Sequence, residues 1–378
     1  MHQTEASKFD IIKRINRSMV LDKIKSSEEI SRTEIAKDLK LSKATVSSII
    51  EELVSRKLVE EMGKGKSTER GGRKRSMLRF NPSSKIGIGV DIGGTKIQMI
   101  MTDLIGNKVY ERRIASTNKM SELIDFIEEA INDSQVARDS IVSLGVGVPG
   151  FTNPETGMVF ESPALQWRDV PLREQLQEAF SFPVFINNDV NCAALGERWL
   201  GSGDNRDHIF FIAIGTGIGS AIISEGKLIY GADFMSGEIG YQISREDIRN
   251  KRFNQLKKFG VFESKASGEG IRTEQYSAEE VFEQYRQGKE EAVLIINEFM
   301  EELAVVIVNS INLLNPEKVV IGGGVSESMA VVLPKLQARV DELTPIKTEI
   351  ELATLSSMAG AIGAVNYSFQ EVEENNLL

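Results

Sequence analysis

Cysteine and histidine are nearly absent from this 378-residue chain, which has one Cys, Cys192, and two His, His2 and His208. A single thiol excludes an intrachain disulfide and a thiolate metal site. Two imidazoles this far apart leave little material for paired-histidine metal motifs or histidine-based triads. Long apolar runs are also missing. The uncharged stretch Leu352–Phe369 is interrupted by Thr354, Ser356, Ser357 and Asn366, so it reads as a buried helix and not a bilayer span. Met1–Asp10 is polar and leads into an amphipathic stretch, unlike a secretory signal. The expectation is a cytoplasmic protein without membrane contact.

What is present is ordinary globular material, 41% hydrophobic and 26% charged, enough for two or three domains. The charge is unevenly shared. Residues 1–80 hold 19 Lys/Arg against 12 Asp/Glu, and the remainder holds 26 against 43. A basic head on an acidic body suggests that the head alone meets a polyanion.

Within the head, Lys8–Ser26 reads as a helix with Ile12, Ile15, Met19, Val20 and Ile24 on one stripe. Ser31 precedes a short helix, Thr33–Leu39, and Ser42 is a suitable N-cap for a third, Lys43–Arg56. In that third helix Val46, Ile49, Ile50 and Leu53 form one apolar face. Lys43, Ala44, Thr45, Ser47 and Ser48 leave the opposite face slim and hydrogen-bonding. A helix-turn-helix needs this division, although an ordinary three-helix bundle would share it. Leu58–Glu61 and Ser76–Phe80 then read as two strands around a basic, glycine-rich hairpin. Gly63–Arg79, ends included, holds seven basic residues and one acid. Such a wing can follow a phosphate backbone, with Arg73 and Lys74 after Gly71-Gly72 placed to reach a groove. The same composition would also serve as a linker.

The larger part carries three strand-to-glycine turns. Ile86–Lys96 runs through Asp91, Gly93, Gly94 and Thr95 into a second strand, Ile97–Asp103. Ile212–Ala221 contains Gly215-Thr216-Gly217, and Val319–Glu327 contains Gly322-Gly323-Gly324 ahead of a helix start. Glycines at strand ends let backbone N–H groups approach phosphate oxygens, and Asp91 is suited to holding a water on Mg²⁺. Gly145–Gly150 satisfies GxGxxG, but Pro149 and Pro154 oppose the helix that a dinucleotide site requires. Phe185–Glu197 is a strand delivering Asn188 and Asp189 to a small-residue helix. Asp189 is a candidate proton acceptor and Asn188 a sugar ligand, but helix capping alone would also explain the pair. Cys192 reads as a small apolar packing residue on that helix.

Taken together, DIGGTK at Asp91–Lys96, Gly147–Gly150, Asn188-Asp189, Gly215–Gly219, Gly237–Gly240 and Ile321–Glu327 resemble the ROK family of repressors and sugar kinases. The head resembles the family's repressor branch, of which the xylose repressors are the nearest model. The resemblance implies an α/β chain, an N-terminal winged helix-turn-helix followed by a two-lobed actin/hexokinase-type ATPase fold. Residues 1–80 would be the DNA-binding domain with its basic wing and linker. Residues 86–188 with helix 358–370 would form the first lobe, and 189–357 the second.

The resemblance further implies that Asp91, Gly93, Gly94, Thr95, Gly215, Thr216, Gly217 and Gly322–Gly324 bind ATP with Mg²⁺. It makes Asp189 the catalytic base and places a sugar among Asn188, Asp189, Glu238, Tyr241 and Glu263. DNA contacts fall to Lys43, Thr45, Ser47, Ser48, Arg73 and Lys74. Two departures qualify it. Tyr241 stands where the family has a histidine tied to a three-cysteine zinc, and Ser244–Val261 has no cysteine, so no zinc is expected. The expected function is a homodimeric, sugar-responsive repressor binding operator DNA. The alternative is an ATP-dependent sugar kinase with an appended DNA-binding head.

If the basic head contacts phosphates, its affinity for duplex DNA will fall steeply and log-linearly with salt concentration. Fluorescence anisotropy across a salt series checks this, and a flat response would remove the phosphate contacts.

Overall fold

Two serine caps set the helix starts of the N-terminal unit. The structure, a computed structural model, describes residues 8–64, 76–255 and 259–375. These divide into two compact units, one reaching to Ile86 and including Asp103–Ile105, the other Gly87–Thr102 with the chain from Gly106 onward.

The first unit runs α1 (Lys8–Lys25), β1 (Ile30–Ser31), α2 (Arg32–Asp38), α3 (Lys43–Ser55), β2 (Val59–Lys64) and β3 (Ser76–Phe80). Ser31 and Glu34 form a reciprocal capping box at α2, and Ser42 Oγ accepts from Thr45 N at 3.0 Å at α3. The antiparallel sheet has the order β1-β3-β2. Val46, Ile49, Ile50 and Leu53 of α3 are buried with Val20, Ile24, Ile35 and Leu78.

The single apolar stripe expected on α1 is not what forms. Val20 and Ile24 are buried, whereas Ile12, Ile15 and Met19 are 40–57% exposed. At about 100° per residue the two sets point in different directions. The early half of the buried side is occupied by Lys13 and Arg17, both paired with Glu52 of α3. Gly71, Gly72, Arg73 and Lys74 lie outside the described residues.

The second unit contains two five-stranded sheets. Its first part comprises β4 (Ile86–Ile92), β5 (Lys96–Asp103), β6 (Lys108–Ala115), α4 (Met120–Ser134) and β7 (Ile141–Val148). A small sheet follows, β8 (Phe151–Asn153), β9 (Met158–Ser162) and β10 (Trp167–Val170), then α5 (Leu172–Ala179), β11 (Val184–Asn188) and α6 (Asp189–Leu200). The second part comprises β12 (Ile209–Ile214), β13 (Ile218–Ser224), β14 (Lys227–Leu228), α7 (Arg245–Arg249), α8 (Glu263–Ala266) and α9 (Gly268–Ile271). It continues through α10 (Ala278–Arg286), α11 (Glu290–Leu314), β15 (Lys318–Gly322), α12 (Leu333–Leu343) and β16 (Glu349–Leu352), and α13 (Ala359–Glu374) ends the described chain.

The sheet orders are β11-β7-β4-β5-β6 and β16-β15-β12-β13-β14. Each places a strand–glycine turn–strand hairpin, β4–β5 or β12–β13, beside strands reached by crossover, with β11–β7 and β12–β15–β16 parallel. The chain thus lays down one pattern twice. Helices α10, α11 and α12 bury the second sheet through Phe282, Phe299, Leu303 and Leu336.

Small residues join α6, α13 and β7. A Cβ on Gly145 would collide with the carbonyl oxygen of Ala364, and one on Gly363 with that of Cys192. Ser143 and Ser368 hydroxyls meet at 2.8 Å in the same interface. Gly145 therefore serves helix packing, and the segment after Gly150 is the strand β8, with no helix to receive a pyrophosphate.

The expected helix over 352–369 begins only at Ala359, because Leu352 pairs with Ile321 of β15, Ala353 N donates to Ile321 O at 2.8 Å and Ser356 takes a left-handed φ of 50°. Helix α6, assigned from sequence to the second lobe, packs chiefly on α13 and also on β7 and β13. Among the described residues no helix is long and apolar enough to cross a membrane.

In an ordinary helix Gly→Ala stabilises by roughly 1 kcal/mol. At Gly363 the sign should reverse, with a loss of about 1–3 kcal/mol from overpacking against the Cys192 carbonyl. Urea unfolding of Gly363→Ala measures it.

Candidate functional site

Asp91 closes the first glycine hairpin and begins the site. Gly93 N donates to Lys96 O at 2.8 Å and Ser116 Oγ to Gly93 O at 2.6 Å, which fixes the turn and leaves Gly94 and Thr95 exposed. The Asp91 carboxyl lies against the first turn of α13, where a Cβ on Gly360 would come within 2.6–2.8 Å of it. Burial, then the charge of Asp189, pushes Asp91 up to about 7, with Lys96 opposing.

Asp189 is the first residue of α6, delivered there by β11. Its Oδ1 accepts from Val190 N at 2.9 Å, and burial raises it to about 6 against the pull of the helix-start hydrogen bonds. Asn188 is the N-cap. Its Oδ1 accepts from Val190 N and Asn191 N at 2.9 and 3.1 Å, and its Nδ2 donates to Gly150 O at 3.0 Å. The capping explanation offered by the sequence is thus realised in full, and the Asn188 side chain also hydrogen-bonds Asp189, which qualifies its expected role as a sugar ligand. Asn187, which sequence reasoning passed over, braces the same corner by donating to Tyr230 Oη at 2.9 Å and accepting from Asn191 at 3.1 Å. Its position beside Asn188 was the available signal.

The second glycine hairpin differs from the first in what surrounds it. A Cβ on Gly215 would meet nothing within 4 Å, so this backbone faces open space. Gly217 instead lies against Glu263, whose carboxylate accepts from Ile218 N at 3.2 Å and Gly260 N at 3.0 Å. Glu263 therefore spends part of its acceptor capacity holding backbone, which qualifies its expected role as a sugar ligand. The Gly322–Gly324 turn divides similarly. Gly322 packs on Phe211, Gly323 takes a φ of 89° against Ile214, and only Gly324 is open. A 3₁₀ turn, Ser326–Val331, stands where a helix start was expected, and α12 begins at Leu333.

Glu238 precedes a 3₁₀ turn containing Tyr241. Desolvation, followed by the charges of Glu263 and Asp189, lifts Glu238 to about 7. Tyr241 is raised by desolvation and by Glu238, Glu263 and Glu161. The four expected acids thus fall into one electrostatically coupled cleft, with Glu161 added by the structure.

Within 244–261, helix α7 is pinned by charge. Lys265 Nζ lies 2.8 Å from Asp247 Oδ1 and 3.0 Å from Glu302 Oε1. Burial would raise Asp247, but hydrogen bonds from Lys265 and Ser244 outweigh it and hold the carboxyl at about 2. This cluster ties α7 to α8, the helix that carries Glu263.

Two sheets of matching order, each with a glycine hairpin at a shared acidic cleft, define a two-lobed α/β protein of the actin/hexokinase type. The chain belongs to the ROK family, whose model matches residues 87–370. The resemblance read from the motifs therefore holds. A xylose repressor from Caldicellulosiruptor bescii is 30% identical over 94% of this chain and 95% of its own length. A glucokinase from Halalkalibacterium halodurans is 31% identical over 73% and 92%. Among solved structures, a ROK family transcriptional regulator described as a homolog of the E. coli MLC protein superposes with a TM-score of 0.81 at 24% identity. It covers 97% of this chain and 98% of its own. A Streptomyces griseus ROK glucokinase in complex with glucose and AMPPNP gives 0.63 at 25% identity, over 75% and 99%.

Because its folded-state value is raised, Asp91 favours folding fully below about pH 4 and loses that contribution as pH rises to about 7. Asp91→Asn removes this titration. Its melting temperature should exceed the parent's at pH 8, with the gap closing toward pH 4. A gap independent of pH would contradict the assignment.

Proposed function

We propose that this chain is a sugar-responsive, DNA-binding transcriptional repressor of carbohydrate-utilisation genes, acting as a cytoplasmic homodimer without membrane contact. The observation that carries the reading is the extent of its likeness. The xylose repressor matches nearly the whole chain, whereas the glucokinase matches about three quarters of it. Xylose, or another aldose, is the first effector to test.

In this reading residues 1–80 are a winged helix-turn-helix. Helix α3 enters the major groove with its exposed Lys43 and Ser48 and half-buried Thr45 and Ser47, and Arg73 and Lys74 of the wing meet the backbone. Two heads read half-sites one DNA turn or a multiple apart. Residues 86–188 with 358–370 and residues 189–357 act as two lobes that take the sugar among Asn188, Asp189, Glu238, Tyr241 and Glu263. The sugar induces release because it binds the non-DNA state more tightly, since equal affinity for both states shifts nothing. Zinc has no part in the reading, because 244–261 offers no thiolate and Lys265 with Asp247 and Glu302 already ties α7 down.

A second reading, phosphorylation of the bound sugar, draws support from the site itself. The open backbone at Gly215 and Gly324 and the exposed Gly94 and Thr95 fit a polyphosphate. Asp91, crowded by Asp189, would be relieved by a divalent cation. ATP with Mg²⁺ would supply the phosphoryl group. Asp189, raised to about 6, is tuned to take the proton from a sugar hydroxyl.

The test combines binding of the chain's own promoter duplex with a coupled ATP assay over an aldose panel. The expected result is tight DNA binding released by one sugar, with no turnover. Turnover abolished by Asp189→Asn would make the kinase reading primary, and failure to bind duplex under any condition would overturn the repressor.

A further inference from the structure

Beside the candidate sugar site lies a cavity of about 530 Å³ lined by Phe151, Phe160, Glu161, Arg168, Asp169, Asp233 and Met235. None of the expected sugar ligands lines it, yet it adjoins them. Phe151 follows Gly150, whose carbonyl receives Asn188 Nδ2. A Cβ on Gly150, at φ 105°, would collide with the Glu161 carbonyl, so β9 is seated directly on this corner. Met235 lies three residues before Glu238, and Glu161 acts electrostatically on Tyr241.

The wall is shaped by irregularities. The β8–β9 register slips by one between Phe151↔Glu161 and Thr152↔Val159, leaving Phe160 as a bulge residue. Across from it Asp169 adopts a left-handed φ of 49° and makes no ladder pair, although Arg168↔Glu161 and Val170↔Val159 flank it. A regular strand sends neighbours to opposite faces. Here both members of Phe160-Glu161 and of Arg168-Asp169 line one cavity, as happens where bulges re-aim side chains beside a site. Phe160 and Met235 are each 45% exposed, so neither is there for the core.

Resting on the sugar-responsive reading above, we propose that this cavity is an outer glycosyl subsite, so that the effector is a neutral disaccharide or longer glycoside. Aromatic faces and a thioether cover the apolar face of a pyranose, while carboxylates and a guanidinium take its hydroxyls. The lining offers acceptors at Glu161, Asp169 and Asp233 and donors at Arg168, the mixture that the hydroxyls of a neutral sugar require. The volume falls within the range of about 300–1,000 Å³ typical of small-molecule pockets, so a single ring held at Asp189 and Glu238 leaves the cavity unfilled.

Calorimetry on the full chain with glucose, xylose, cellobiose, xylobiose and maltose tests this, repeated on Phe160→Ala and Met235→Ala. The expected result is one disaccharide binding roughly tenfold or more tightly than its component monosaccharide. Both variants should erase that increment and leave monosaccharide affinity unchanged. Monosaccharides binding as tightly as disaccharides, or Phe160→Ala weakening both alike, would overturn the subsite and leave the sugar-responsive reading standing. Binding of no sugar of either length would overturn both.

Discussion

Where α6, α13 and β7 cross, backbone meets backbone with almost no side chain between. Gly145, Gly196 and Gly363 provide the space, and Cys192 fills what remains. This contact sets the geometry of everything chemical in the chain. It brings the start of α6, with Asp189, beside the end of β4, with Asp91, and it sets Asp91 against the first turn of α13. Glu197, buried on α6, extends the contact by accepting from Ser202, Thr354 and Leu355. The two sheets are therefore joined through α6 and the segment leading into α13.

The cleft above the joint carries an electrostatic cost. Asp91, Asp189 and Glu238 are all raised from the usual carboxylate range, with Lys96 offsetting only part of the shift at Asp91. Sites with perturbed, mutually coupled acids are where ligand binding has most to offer, because hydroxyl donors or a cation relieve the strain directly. A sugar supplies such donors. The same arrangement suits a regulator and a kinase, and the chain is similar to proteins of both kinds.

Much of this was readable in advance where one residue type has one local job. The serine caps at 31 and 42, the apolar face of α3 and the strand–glycine–strand hairpins all follow from short-range rules. What escaped depends on neighbours distant in sequence. The α1 stripe divided because Lys13 and Arg17 found Glu52. The helix expected from Leu352 was delayed because Ile321 of β15 holds Leu352 and Ala353 in strand pairing and Ser356 turns left-handed. Three adjacent glycines at 322–324 look equivalent in sequence, yet one packs, one turns and one opens. The slip at Phe160 has no sequence mark, since register is settled by pairing.

Cys192 gives that joint a built-in reporter. The chain's one thiol is fully buried among α6, β7 and α13, and burial, with Asp91 and Asp189 nearby, lifts it well above an ordinary thiol. An alkylating reagent reaches such a sulfur only when the surrounding helices part, so its labelling rate counts opening events. Loosening of this joint can therefore be timed in the unmodified protein, with a single covalent tag per chain.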